Sequence, residues 1–256
     1  VTKDAKSMAE FIRLWLNEHN RWNAPKFIGG ESYGTTRAAA VINELEGTYT
    51  DVSINGIILI SAILDFSQAA DVQGNELGYV TNLPSMAAAA WYHNKVPNKP
   101  ATVEEFAAQA RAFAIGPYAS ALLKGNDLHA DERATVLRQL SYFTGISETY
   151  LSHANLRLSL SRFYKELLRD RGLSIGRLDG RYTGVDYDNA GERPDNDPSF
   201  YGIDGAYTTA INWWSREHLG YRPDTVYSSI GGTRDWEWTI PGPRGGSSYL
   251  NVAPYI

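Results

Sequence analysis

The stretch Gly30-Glu31-Ser32-Tyr33-Gly34 follows the apolar pair Phe27-Ile28 and leads into Thr35-Thr36-Arg37-Ala38. It fits the pattern G-x-S-x-G, in which a serine sits on a sharp turn between a strand and a helix. Gly30 and Gly34 carry no side chain to clash as the turn closes, and the serine hydroxyl is pushed outward. A bare match of this kind occurs by chance in many chains, so its surroundings decide its weight. Residues 26–29 read as a short strand. Residues 35–45 read as a helix, with Ala38, Ala39, Ala40 and Val41 giving good propensity. Residues 53–61 hold Ile54, Ile57, Ile58, Leu59 and Ile60. Such a nearly continuous apolar run reads as a parallel strand buried on both faces. Ahead of the turn, residues 4–18 read as an amphipathic helix, with Met8, Phe11, Ile12 and Trp15 at helical spacing and Asp4 as N-cap. Helix, strand, elbow, helix, strand is the order of an α/β domain.

The pattern changes after Phe66, and residues 67–220 carry mostly helical signals. Thr102 and Glu105 form a capping box ahead of a helix with Phe106, Ala110 and Phe113 on one face. Gly116-Pro117 bends or ends it. Residues 131–143 place Val136, Leu137, Leu140 and Phe143 on one face, with Gly145 as the stop. Residues 159–169 follow suit. Residues 172–198, rich in Gly, Asp and Asn, read as a loop with a short hairpin. Residues 207–218 return to helix, with Ala210, Ile211 and Trp214 on one side. The expected division is therefore a core segment 1–66, a mainly helical insertion 67–235 and a return segment 236–256.

The 256 residues are 43% hydrophobic, enough for a sizeable core. The formal charge of -5 offers no basic field for nucleic acid. Cysteine is absent, which excludes disulfides, thiolate zinc sites and a cysteine nucleophile. The longest apolar run, 57–64, falls far short of the roughly 20 residues of a membrane span. No cofactor or metal motif is present. Asp186, Asp188, Asp195 and Asp197 do not follow the spacing of a calcium-binding EF-hand loop and read as a solvated acidic loop.

A serine hydroxyl needs a histidine to take its proton, a carboxylate to orient that histidine, and two backbone N–H donors for the oxyanion. Tyr33, the residue after the serine, supplies one donor. The histidines are His19, His93, His129, His153 and His218. None follows a buried strand, and each reads as a surface or capping residue. The triad Asp and His are thus absent from the chain on this reading.

The segment from Gly30 to Ala38 resembles the nucleophile region of the serine carboxypeptidases, in which Glu directly precedes the serine. Residues 57–66, Gly176-Arg177-Leu178-Asp179 with Arg181-Tyr182-Thr183-Gly184, and Trp236-Glu237-Trp238 are similar to cysteine-poor bacterial members. The resemblance implies a partial α/β-hydrolase core with a large helical cap, and removal of C-terminal residues from peptides through an acyl-enzyme. It implies Ser32 as nucleophile, the Tyr33 N–H as oxyanion donor, and Glu31 as the group that binds a substrate's terminal carboxylate. Two carboxylates attract only when they share a proton, so such a site works best in acid. The family's glycine-rich stretch before the elbow is missing, as are two later strands, so the chain is expected to be an internal fragment, inactive alone. The partner is a peptide with a free C-terminus. Oligomeric state and compartment stay open, a secreted or periplasmic one being favoured. Two alternatives stand beside this: another acyl hydrolase or acyltransferase of the same fold, and a non-catalytic binding module. Trp214 is read as core, and the Trp236/Trp238 pair as a candidate cleft lining.

Overall fold

The computed structural model describes the chain except for Thr48, 70–73, Val226, 228–235 and 242–246, and gives only the backbone of 68, 69, 240, 241 and 247–249. It is a mixed α/β structure with a small parallel sheet. The chain forms two compact units, Val1–Ala70 with Thr233–Ile256, and Asp71–Gly232.

In the first unit, helix α1 (Thr2–Glu18) precedes strand β1 (Phe27–Glu31), helix α2 (Tyr33–Leu45) and strand β2 (Gly56–Ile60). β1 and β2 pair in parallel, Phe27 opposite Gly56 through Glu31 opposite Ile60. One core joins Ala5, Ala9 and Leu16 of α1 to Ala39, Ala40, Val41 and Leu45 of α2, with Val52, Leu250 and Val252. Alanines at the contact let the two helices approach closely. Arg13 donates to the carbonyls of Glu44 (2.8 Å) and Thr50 (3.1 Å), satisfying acceptors at the C-terminal end of α2. After β2 the chain meets its own return segment: Phe66 N–H donates to Leu250 and Val252 N–H to Leu64. A hairpin of β5 (Thr239–Pro241) and β6 (Ser247–Tyr249) lies between Trp238 and Leu250.

Three expectations for this unit are corrected. Asp4 is not the N-cap, which is Val1; it lies in the first turn, where its carboxylate is drawn to a cation on α2. The buried stripe of α1 runs through Ala5, Ala9 and Leu16, with Met8 and Ile12 packed against it as expected but Phe11 and Trp15 exposed. Nor is β2 buried on both faces. Register puts Phe27, Ile58 and Ile60 on one face, and they are 65%, 57% and 55% exposed. Among the described residues no layer covers that face, whereas α2 packs on the other and α1 packs on α2.

The second unit contains α3 (Leu77–Tyr92), α4 (Val103–Phe113), a π-helical turn (Ala114–Tyr118), α5 (Ala119–Lys124), α6 (Ala130–Thr144), α7 (Glu148–His153) and α8 (Leu160–Glu166), then hairpin β3 (Leu173–Ile175) and β4 (Thr183–Val185), then α9 (Pro198–Glu217). Its core gathers Leu83, Met86, Ala87 and Ala90, Phe106, Ala110 and Phe113, and Val136, Leu140 and Phe143. Full burial of each large side chain contributes about 1.5–3 kcal/mol. Thr102 caps α4 by accepting from Glu105 N–H at 3.3 Å. Gly116-Pro117 does not end the helix; the missing proline N–H is absorbed in the π turn, and α5 continues. Gly145 closes α6 at φ +69°, and a Cβ there would stand 2.6 Å from Lys95 Cβ.

Helix α9 begins nine residues before the expected 207, because Asp197 caps it and Pro198 opens it. Its expected apolar side is not core: Trp214 is 48% exposed. The acidic loop is not simply solvated either. Asp186 is buried in an ion pair with the fully buried Lys165, whose ammonium also donates to the Asp188 carbonyl.

Candidate active site

Ser32 stands between the last residue of β1 and the first of α2 at φ +55°, ψ -121°. An L-residue with a Cβ rarely adopts that backbone, at a cost of about 1–3 kcal/mol. Bonds to its own helix and to the β2 segment hold it there. The Ser32 N–H donates to the Ile60 carbonyl at 3.0 Å, continuing the parallel ladder. The Ser32 carbonyl accepts from Thr35 N–H at 3.0 Å and from Thr35 Oγ1 at 2.7 Å. Thr35 Oγ1 also accepts from Ile63 N–H at 2.9 Å, and Thr36 Oγ1 donates to the Ile63 carbonyl at 2.5 Å. Both threonines are fully buried. The first turn of α2 is thereby tied to the segment leaving β2.

The hydroxyl has no hydrogen-bond partner among the described residues. Ser32 is exposed, and its side chain makes no capping bond to α2. A serine serving only as N-cap would accept from the N–H two or three residues on. The Tyr33 N–H, at the start of α2, likewise has no hydrogen-bond partner among the described residues. The strain, the exposed hydroxyl and the outward N–H lie together at the head of the sheet.

The two glycines are not equivalent. A Cβ at Gly30 would stand 2.1 Å from the Gly34 carbonyl oxygen, so no side chain fits. A Cβ at Gly34 meets nothing within 4 Å, which corrects the expectation that both permit the turn. Glu31, opposite Ile60 at the end of the ladder, is exposed, and its carboxylate has no ion pair among the described residues.

Tyr33 turns its ring into a cluster. Its hydroxyl donates to Asp4 at 2.6 Å, Arg37 lies 5.0 Å from the ring centre, and Trp236 and Trp238 pack edge-on at 5.4 and 5.5 Å. Burial and the Asp4 carboxylate push the Tyr33 hydroxyl well above its ordinary pKa, so it stays protonated. Burial alone would raise Asp4; the bonds from Arg37 and Tyr33 outweigh it and hold Asp4 below the usual carboxylate range. The Trp pair therefore packs on the residue beside Ser32. The roles of Asp4 and Arg37 were missed; the spacing of Tyr33 and Arg37, one turn apart on α2, was the available signal.

The histidines are spread along the chain. His19 is the histidine of the unit that holds Ser32. It ends α1, fifteen positions beyond Asp4, or about 22 Å along a helix. His129 and His218 flank helix ends, and His153 lies in the last turn of α7. His93 is not a surface residue: it is buried, with Nε2 2.7 Å from the Gly180 carbonyl. Among the described residues no group of three His, Cys, Asp or Glu is placed to hold a metal ion, and no helix is long and apolar enough to cross a membrane. The chain matches no protein-family model, no curated protein and no solved structure.

Proposed function

We propose that the chain carries the nucleophile of a serine carboxypeptidase-like hydrolase, on part of an α/β-hydrolase core that spans 1–66 and 236–256, with 67–235 as a helical cap. The observation that carries the reading is Ser32: a strained backbone pinned at both its N–H and carbonyl, with the hydroxyl exposed and unbonded. Such strain is retained at sites that use it. Ser32 Oγ attacks the carbonyl of the last peptide bond as a base takes its proton, and the oxyanion takes a hydrogen bond from the Tyr33 N–H. The released residue leaves as its amine gains a proton, and water then hydrolyses the acyl ester. The base and its orienting carboxylate are to be supplied from outside the described elbow.

Glu31 gives the substrate class. An exposed carboxylate beside the nucleophile, with no cation on it among the described residues, binds a peptide's terminal carboxylate when the two share one proton. Competition of peptides against covalent serine labelling at mildly acidic pH tests this. A peptide with a free C-terminus slows labelling and its amide does not. Equal protection by acid and amide removes the carboxypeptidase reading and leaves an acyl hydrolase or acyltransferase.

A further inference from the structure

The second unit holds a cavity of about 580 Å³ outside the elbow, between α3, α8 and the β3–β4 turn. Its size and make-up fit a small-molecule site, mostly apolar with a few polar groups. Met86, Phe163 and Ile175 form an apolar floor and Trp91 lines its side. The polar groups differ in how far they are engaged. Arg181 is spent: it clasps Asp179 with contacts of 2.6 and 2.9 Å. Arg177 is not. Among the described residues its ion-pair contact is a loose one, Nε to Asp197 Oδ2 at 3.6 Å; Asp197 Oδ1 accepts from Ser199 and from the Arg177 N–H, while Oδ2 is buried and makes no hydrogen bond. Its two terminal nitrogens have no partner among the described residues, and its side chain is 56% exposed. Tyr164 also lines the cavity, and its hydroxyl has no hydrogen-bond partner among the described residues. Burial raises its pKa, so it remains a donor at neutral pH, and it lines the same cavity as Arg177.

We infer that this cavity binds a small monocarboxylate with an aromatic or branched apolar body, its carboxylate on the Arg177 fork and the Tyr164 hydroxyl and its body on the Met86–Phe163–Ile175 floor. A planar guanidinium fork matches a carboxylate in two-point geometry. The apolar floor takes the apolar part, and the His93–Gly180 bond holds the β3–β4 turn that carries Arg177.

Calorimetric titration of the full chain with 3-phenylpropionate and with 3-phenylpropanamide tests this on unaltered protein. The acid binds about tenfold or more tightly than the amide, the factor expected of a charge-assisted hydrogen bond. Arg177→Gln brings the acid to the amide's level, Tyr164→Phe weakens it less, and Ser32→Ala leaves it unchanged; circular dichroism checks that each variant is folded. Equal binding of acid and amide, no binding of either, or an acid affinity that survives Arg177→Gln overturns the inference. Loss of binding in Ser32→Ala would place the ligand at the elbow and overturn it as well, without touching the reading of Ser32.

Discussion

Asp4 and Arg37 stand 33 positions apart and meet in a two-point ion pair, Nε to Oδ2 at 2.7 Å and Nη2 to Oδ1 at 2.9 Å. The pair joins the first turn of α1 to the second turn of α2, and the Tyr33 hydroxyl completes it. Asp4→Asn is expected to destabilise the first unit by about 1 kcal/mol, because the Arg37 end is partly exposed and screened. The pH dependence has a definite sign. The Asp4 carboxyl titrates lower in the folded state than when free, so the contribution is present above the ordinary carboxylate value near 4 and fades as pH falls through the folded value. Thermal unfolding of parent and variant should differ at pH 7 and converge in acid. A gap that widens in acid contradicts this.

The strain at Ser32 predicts a stability change opposite to the functional one. Ser32→Gly should raise stability by about 1–3 kcal/mol, since glycine reaches φ +55° without penalty, whereas Ser32→Ala should not. Gly30→Ala should cost about 1–3 kcal/mol or more as the Gly34 carbonyl is forced away. Gly34→Ala, which meets open space inside a helix, should be neutral or stabilising by up to about 1 kcal/mol. Denaturant midpoints of the four variants decide. Equal effects at 30 and 34 would show that the turn is not built as described.

Glu31→Gln separates proton sharing from simple hydrogen bonding. Glutamine stays neutral and can donate to a carboxylate at any pH, whereas Glu31 must hold a proton to do so. Protection of Ser32 by a free-C-terminal peptide should fall as pH rises in the parent and stay level in the variant. A parent whose protection ignores pH rules out the shared proton.

Lys165 and Asp186 form a charge pair with both side chains out of solvent. Removing one partner leaves an uncompensated buried charge, so Lys165→Met or Asp186→Asn should cost about 3–5 kcal/mol. The double variant should recover part of that loss in a mutant cycle by chemical denaturation. Additive losses in the cycle would show that the two groups do not interact.

What the sequence disclosed follows from the range of the forces involved. The elbow announces itself locally, in a pattern of five residues between a strand and a helix, although the bonds that hold it, from Ser32 to Ile60 and from Thr35 and Thr36 to Ile63, reach far along the chain. The capped starts at Thr102 and the stop at Gly145 are local in the same way. Asp4 was misread as a cap because its true partner lies 33 positions away. On α1 the expected stripe holds at Met8 and Ile12 but not at Phe11 and Trp15, because the core with Ala39 and Ala40 takes the small residues Ala5 and Ala9. The apolar run of β2 has no alternation, so it could not reveal that Ile58 and Ile60 face outward. Asp186 looked solvated because nothing in its own loop announces Lys165.

On the proposed reading Ser32 is a nucleophile held ready, and its base lies outside the described elbow. The direct measurement is fluorophosphonate labelling of the chain with and without added imidazole, followed by peptide mapping. Imidazole stands in for the missing base, so labelling should accelerate with its concentration, map to Ser32 and vanish in Ser32→Ala. Labelling that maps elsewhere, that persists in Ser32→Ala, or that ignores imidazole and never reaches Ser32 would contradict the account.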